Sequence, residues 1–210
     1  MSIDIINLRK YYGKTYVLKG ISCRFKDCQK YLIKGENGIG KSTLFKAILN
    51  QISYLGEIKV EGAISYAPEV VNFPPFMSVY RSIKTFSTLT SDIYDFDNKL
   101  DYLLDLFNIS KYKNSMLGSL SKGQKQKVNL IQAYLTPSKT LLLDEPLSGL
   151  DNESRNKFLD LIENDTRTVI VISHELTHFN KEDYNVMELD NGRLTLIKKI
   201  HSNSPILSTV

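Results

Sequence analysis

Apolar positions along this chain recur with two periods, and the change from one to the other marks out its elements. Ile3-Asp4-Ile5-Ile6-Asn7-Leu8 and Tyr16 to Phe25 read as strands joined by a turn at Tyr12-Gly13-Lys14, an antiparallel start. Gln29 to Lys34 carries Tyr31, Leu32 and Ile33 into a glycine-rich segment, and Lys41 to Ile52 then places Leu44, Ala47, Ile48 and Gln51 at helical spacing. Gly56–Val60 and Ala63–Ala67 predict two short strands. The proline-stiffened connector Phe73-Pro74-Pro75-Phe76 follows, which cannot lie inside a helix. Helices are predicted over Ser78–Leu89, with Val79, Ile83 and Phe86 on one face, and over Asp97–Asn108, with Leu100, Leu103, Leu104 and Phe107.

Ser119 to Gln124 opens a further helix in which Val128, Ile131 and Leu135 share a face before Thr136-Pro137 ends it. Leu141-Leu142-Leu143 and Thr168–Ser173 are continuous apolar runs, as strands buried on both faces of a parallel sheet should be. Between them Asn152–Asn164 predicts a helix with Phe158, Leu159 and Ile162 inward, and Asn185–Ile200 predicts short strands around Asn191-Gly192. The expected fold class is therefore α/β: a mainly parallel sheet, an N-terminal antiparallel β subdomain and a small helical subdomain. Residues 1–200 are expected to form a single domain, with the helical part inserted at about 76–118, and 201–210 to be a polar tail.

Composition changes this picture little. At 210 residues, 42% hydrophobic and 24% charged, the chain is long enough to bury a real core. The net charge of +4 comes from interleaved Lys, Arg, Asp and Glu with no long basic run, so direct nucleic-acid binding is not expected. Cys23 and Cys28 have no second pair to complete a zinc site and read as free thiols of a reducing compartment. No signal-peptide pattern and no run of 18 apolar residues appears, so work at a membrane would mean docking on a partner.

The chemistry is concentrated in Gly35-Glu36-Asn37-Gly38-Ile39-Gly40-Lys41-Ser42-Thr43, a complete G-x-x-x-x-G-K-[ST] phosphate cradle. Glycines at 35, 38 and 40 can take backbone angles closed to other residues, which turns successive N–H groups onto a phosphate chain. The following helix points its positive end at the same anion, Lys41 adds a mobile charge, and Ser42 offers a hydroxyl to Mg²⁺. Two adjacent carboxylates, Asp144 and Glu145, lie at the carboxyl end of the Leu141–Leu143 strand, where open α/β sheets bind ligands.

These motifs together resemble the nucleotide-binding subunit of an ATP-binding-cassette (ABC) protein, from about Ile3 to Leu194. Lys10-Tyr11-Tyr12-Gly13 is similar to the aromatic A-loop, which implies that Tyr12 stacks on adenine; a turn tyrosine packing on its neighbours is the other reading. Leu120-Ser121-Lys122-Gly123-Gln124 resembles the LSGGQ signature, with Lys122 in place of Gly. Thr140–Pro146 is similar to the Walker B strand, Leu147-Ser148-Gly149-Leu150-Asp151 to the D-loop, and His174 to the switch histidine. The Q-loop position, normally Gln, is Glu69 in Tyr66-Ala67-Pro68-Glu69.

The resemblance implies that Asn37, Gly38, Ile39, Gly40, Lys41, Ser42 and Thr43 bind ATP, and that Ser42, Asp144 and Glu69 hold Mg²⁺. Glu145 would polarise the attacking water, and Lys41 and His174 would contact the γ-phosphate. Ser121, Lys122, Gly123 and Gln124 would face the ATP of a second subunit, and Asp151 would tie the two together. Lys122 would either add a charge near that ATP or point to solvent. The implied assembly is a homodimer, or a pair with a related ATPase, on a separate transmembrane permease at the inner face of the cell membrane. Glu69 with Lys122 resembles small bacterial exporter ATPases for drugs, peptides or lipid-like compounds. An ABC ATPase that regulates a membrane protein without transport, or one acting on nucleic acid or ribosomes, is the alternative.

Overall fold

The computed structural model describes residues 2–89, 92–180 and 182–199, so the predicted 201–210 tail and Ile200 lie outside the described residues. Strands β1 (Ile3–Tyr12), β2 (Thr15–Phe25) and β4 (Leu55–Val60) form an antiparallel sheet in the order β2-β1-β4. A second sheet takes β3 (Lys30–Lys34), β5 (Ile64–Ala67), β6 (Thr140–Asp144), β7 (Thr168–Ile172), β8 (Asn185–Asp190) and β9 (Arg193–Lys198) in the order β5-β6-β7-β3-β8-β9. All its pairs are parallel except β8 with β9.

Every residue of β6 and β7 is buried, because alternate side chains feed two separate cores. Leu141, Leu143, Val169 and Val171 join helices α2 (Val79–Ser87), α3 (Phe96–Leu106), α4 (Lys122–Leu135) and α5 (Asn152–Glu163) on one face. Leu142, Ile170 and Ile172 pack on the other with α1 (Lys41–Ile48) and the antiparallel sheet. Each such side chain, once fully buried, stabilises the fold by about 1.5–3 kcal/mol. Among the described residues no helix is long and apolar enough to cross a membrane, and both cysteines are free thiols.

Some boundaries differ from the sequence reading. Helix α1 stops at Ile48 rather than Ile52, because Asn50 takes a left-handed conformation (φ 54°) and closes the helix. The Asn50 N–H then donates to the Ala47 carbonyl (3.0 Å) and the Gln51 N–H to that of Lys46 (2.8 Å), a Schellman end that leaves Gln51 exposed. On α2, Phe86 does not join Val79 and Ile83 but is 37% exposed. Ser82 and Ser87 are buried in its place, and Ser87 Oγ donates to the Gln132 carbonyl of α4 (3.1 Å), so small side chains let the two helices approach.

The hairpin turn Asn191-Gly192, with φ of 46° and 77°, locks the two sheets together. The Gly192 carbonyl accepts from the Lys19 N–H of β2 at 2.7 Å, and a Cβ on Gly192 would stand 2.6 Å from the Val17 carbonyl oxygen. Gly192→Ala therefore meets both a left-handed φ and a backbone clash. It should lower the stability measured by urea unfolding by about 1–3 kcal/mol.

Candidate functional site

The end of β3 is brought so close to β8 that residue 35 has no room for a side chain: a Cβ there would lie 2.6 Å from the Leu189 carbonyl oxygen. Gly35 is thus required by close approach and not by its own φ, unlike the sequence expectation. Gly38 and Gly40 do use the left-handed region, with φ of 78° and 115°. A Cβ on Gly40 would also stand 2.7 Å from Val17 Cγ1, so the start of β2 lies against the cradle. Lys41, the first residue of α1, is buried and folds back on the loop, its Nζ donating to the carbonyls of Gly35 (2.7 Å) and Glu36 (3.0 Å).

Across from this loop, β6 delivers Asp144 and Glu145. Asp144 is 2% exposed and its Oδ1 has no hydrogen-bond partner. Burial pushes its carboxyl above the usual carboxylate range; a hydrogen bond from Ser42 and the charge of Lys41 oppose this, while Glu69 and Glu145 push it higher. Glu145 turns out of the strand with φ 47°, its N–H held by the Ile172 carbonyl (2.9 Å). Its carboxylate accepts from the His174 backbone N–H (3.1 Å) and meets His174 Nδ1 at 2.8 Å. The parallel pairing of Asp144 with Ile172 is what brings the ends of β6 and β7, and so these two side chains, together.

Of the sequence-predicted residues, Asn37, Gly38, Gly40, Lys41, Ser42, Thr43, Glu69, Asp144, Glu145 and His174 line one cavity of 390 Å³. Ile39 instead packs its side chain on the core beneath the loop. Tyr12 stands apart at the tip of the β1–β2 hairpin, 48% exposed. The signature residues are also elsewhere. Ser121 and Gln124 cap α4 reciprocally, the Gln124 N–H donating to Ser121 Oγ (3.3 Å) and the Ser121 N–H to Gln124 Oε1 (2.9 Å). Gly123 is held by contact with the D-loop, since a Cβ there would lie 2.7 Å from the Gly149 carbonyl oxygen. Lys122 lines a second cavity of 380 Å³ with Lys125, Ser148 and Glu69.

Asp151 is committed within its own chain. It caps α5 by accepting from the Ser154 N–H (2.9 Å) and pairs with Lys127 Nζ at 2.6 Å. The Lys127 ammonium and the Ser154 donors hold its carboxyl well below the usual carboxylate range.

Sequence reading missed a pair of buried polar residues on α4. Gln126 (5% exposed) donates from Nε2 to the Pro146 carbonyl at 3.3 Å, and Asn129 (3% exposed) from Nδ2 to the Pro68 carbonyl at 2.9 Å. They tie the helix that begins at the signature to the residues adjoining Glu145 and Glu69. The available signal was two amides three apart on the face that also carries Leu130 and Ala133, both buried, where a polar side chain must find a partner.

The donor set suits a hard divalent cation such as Mg²⁺. The unpartnered Asp144 Oδ1, the Ser42 hydroxyl and the Glu69 carboxylate are all oxygen donors, and a cation would relieve the burial of Asp144. Folding raises the Asp144 pKa, so the folded state favours the protonated carboxyl. The resulting cost is full above the raised value, fades as pH falls through it and is absent below the ordinary value of about 4. In protein free of Mg²⁺ and nucleotide, Asp144→Asn should melt higher than the parent at pH 7. The difference should close as thermal scans are taken down to pH 4.

Comparison with known proteins places this geometry. The family model described as "ABC transporter" matches residues 18–148. An uncharacterized ABC transporter ATP-binding protein of Methanocaldococcus jannaschii is 32% identical over 203 residues, covering 94% of this chain and 78% of its own. The glutamate/aspartate import ATP-binding protein of Escherichia coli K12 is 28% identical, covering 91% of this chain and 88% of its own. Among solved structures, an ATP-binding subunit of an ABC transporter superposes with a TM-score of 0.85 at 21% identity, over 94% of this chain and 90% of that one, a likeness of fold. On the family match and the relatives, and with the phosphate cradle, Asp144, Glu145 and His174 gathered on one cavity, the chain belongs to the ABC transporter family as an ATP-binding subunit that hydrolyses ATP.

Proposed function

We propose that the chain is the motor of an exporter: two copies, or one copy and a related ATPase, close head to tail on two Mg-ATP molecules and drive a separate membrane permease. The observation that carries this reading is the division of the predicted machinery. Lys41, Ser42, Glu69, Asp144, Glu145 and His174 share one cavity, whereas Ser121, Gly123 and Gln124 do not line it and Lys122 lines another, with which it has Glu69 in common. A nucleotide in the first cavity therefore lacks the signature of its own chain, and a second copy would supply it.

In the proposed reaction the P-loop amides hold the phosphates, and Lys41 exchanges the Gly35 and Glu36 carbonyls for β- and γ-phosphate oxygens. Ser42 and Asp144, with Glu69, would hold Mg²⁺, which when bound neutralises phosphate charge. Glu145, fixed by His174 at 2.8 Å, orients and polarises the attacking water; His174, half-exposed at the cavity, contacts the γ-phosphate. Tyr12 stacks on adenine. Asp151, already holding α5 and Lys127, would meet the partner through what its carboxylate leaves free.

The helical segment at 76–118 and the Pro68-Glu69 loop would carry the motion to the permease, at the inner face of the membrane. Export of a peptide, drug or lipid-like compound is supported by Glu69 and Lys122, the two departures that the chain shares with small exporter ATPases. One relative is an import protein by name, so the direction is tested by transport with the permease reconstituted in vesicles.

Glu145→Gln should hydrolyse ATP at least about a hundredfold more slowly while still binding it. By light scattering it should be a monomer alone and a dimer with Mg-ATP; an unchanged rate would remove Glu145 from the role assigned to it. Lys41→Ala should weaken ATP binding at least about tenfold by calorimetry, the loss of charge-assisted bonds to phosphate.

A further inference from the structure

Lys10 takes no part in the proposed reaction, yet its side chain on β1 is held by two separate partners. Its Nζ donates to the Ser53 carbonyl at 2.6 Å and to Ser53 Oγ at 3.3 Å, and stands 4.8 Å from the centroid of the Tyr12 ring. An ammonium has three donors. Two reach Ser53 and the remaining positive edge faces the ring, a cation–π contact. Among the described residues no carboxylate lies within ion-pair distance of Lys10.

Ser53 follows α1, the helix that begins at Lys41 of the phosphate cradle, so Lys10 links the hairpin carrying Tyr12 to the element carrying the cradle. A second contact fixes the same geometry: Gly40 touches Val17 and Leu18 so closely that no side chain fits between. The neighbouring ring of Tyr11 is occupied in its own stack on Tyr16, with centroids 4.2 Å apart and planes 6° from parallel. Tyr12 has no such partner among the described aromatic rings, and Lys10 covers one of its faces.

We infer that Lys10 is a positioning residue for the nucleotide base: anchored on Ser53, it buttresses one face of Tyr12 and so presents the other face to adenine. This rests on the reading of Tyr12 as the base-stacking ring. The ammonium also draws π-electron density toward the covered face, which favours stacking of an electron-rich base on the opposite one. Lys10 makes no contact with the phosphates in this arrangement, so its effect is confined to ligands that carry a base.

The test compares ATP with inorganic tripolyphosphate by calorimetry, both with Mg²⁺, in Lys10→Met, Lys10→Arg, Tyr12→Ala and Lys10→Met/Tyr12→Ala. Lys10→Met should raise the Kd for ATP about two- to fivefold and leave that for tripolyphosphate unchanged. Lys10→Arg, which keeps a cation over the ring, should retain ATP affinity. Tyr12→Ala should weaken ATP at least as much as Lys10→Met does, and adding Lys10→Met to it should change nothing further. If Tyr12→Ala weakens ATP but Lys10→Met does not, or if Lys10→Met weakens tripolyphosphate equally, the role of Lys10 is overturned while that of Tyr12 stands. If Tyr12→Ala binds ATP like the parent, the stacking reading itself fails and this inference with it.

Discussion

Charge imbalance in the cavity at the phosphate cradle is the constraint on which the rest of the structure depends. Glu69, Asp144 and Glu145 face it with Lys41 as their lysine counterpart, and the Lys41 ammonium is spent on loop carbonyls. Asp144 is buried with an unpartnered oxygen and a carboxyl pushed upward by desolvation and by its acidic neighbours. Such a site is poorly satisfied alone. A cation and a polyanion arriving together would correct both faults, the carboxylates holding the cation and Lys41 with the loop amides holding the phosphates.

The scaffold is organised to hold that imbalance in place. Parallel pairing of β5, β6, β7 and β3 puts their carboxyl ends along one edge, where Glu69, Asp144, His174 and the cradle emerge. Helix α4 then fastens two of the loops from behind, through Gln126 to Pro146 and Asn129 to Pro68. The same helix starts at the signature segment and reaches the D-loop through Gly123 and Lys127. A displacement of its N-terminal end would therefore be felt at residues adjoining both Glu69 and Glu145, a physical link between the signature segment and the two carboxylates.

Glu69 and Lys122, the two departures from the family motifs, line a common cavity within the chain. In the proposed dimer they would face different ATP molecules. Folding brings these two residues of opposite charge onto one cavity, although they lie 53 positions apart by number (122 − 69). The second cavity also receives Lys125 and Ser148, which joins the Q-loop, the signature helix and the D-loop around a mixed charge distribution.

What the sequence determined by itself was local: element type from apolar period, the phosphate cradle from glycine and lysine spacing, and the carboxylates and histidine from their place at strand ends. Those signals are strong because each depends on a few adjacent residues whose backbone angles and side-chain directions are set by steric rules. Tertiary structure alone decided where elements stop and what distant groups share. Asn50 ends α1 by a left-handed turn, Ser87 displaces Phe86 from the α2 interface, and Gly35 is required by the carbonyl of Leu189, 154 residues away in sequence (189 − 35). The Ser121–Gln124 and Asp151–Ser154 caps are local patterns that spacing carries, but the carbonyls that Gln126 and Asn129 reach, the pairing of Asp151 with Lys127 and the seat of Lys10 on Ser53 were out of its reach. A polar side chain's partner is chosen by through-space distance and by the cost of burying it unpaired, and neither is set until the sheets and helices have packed.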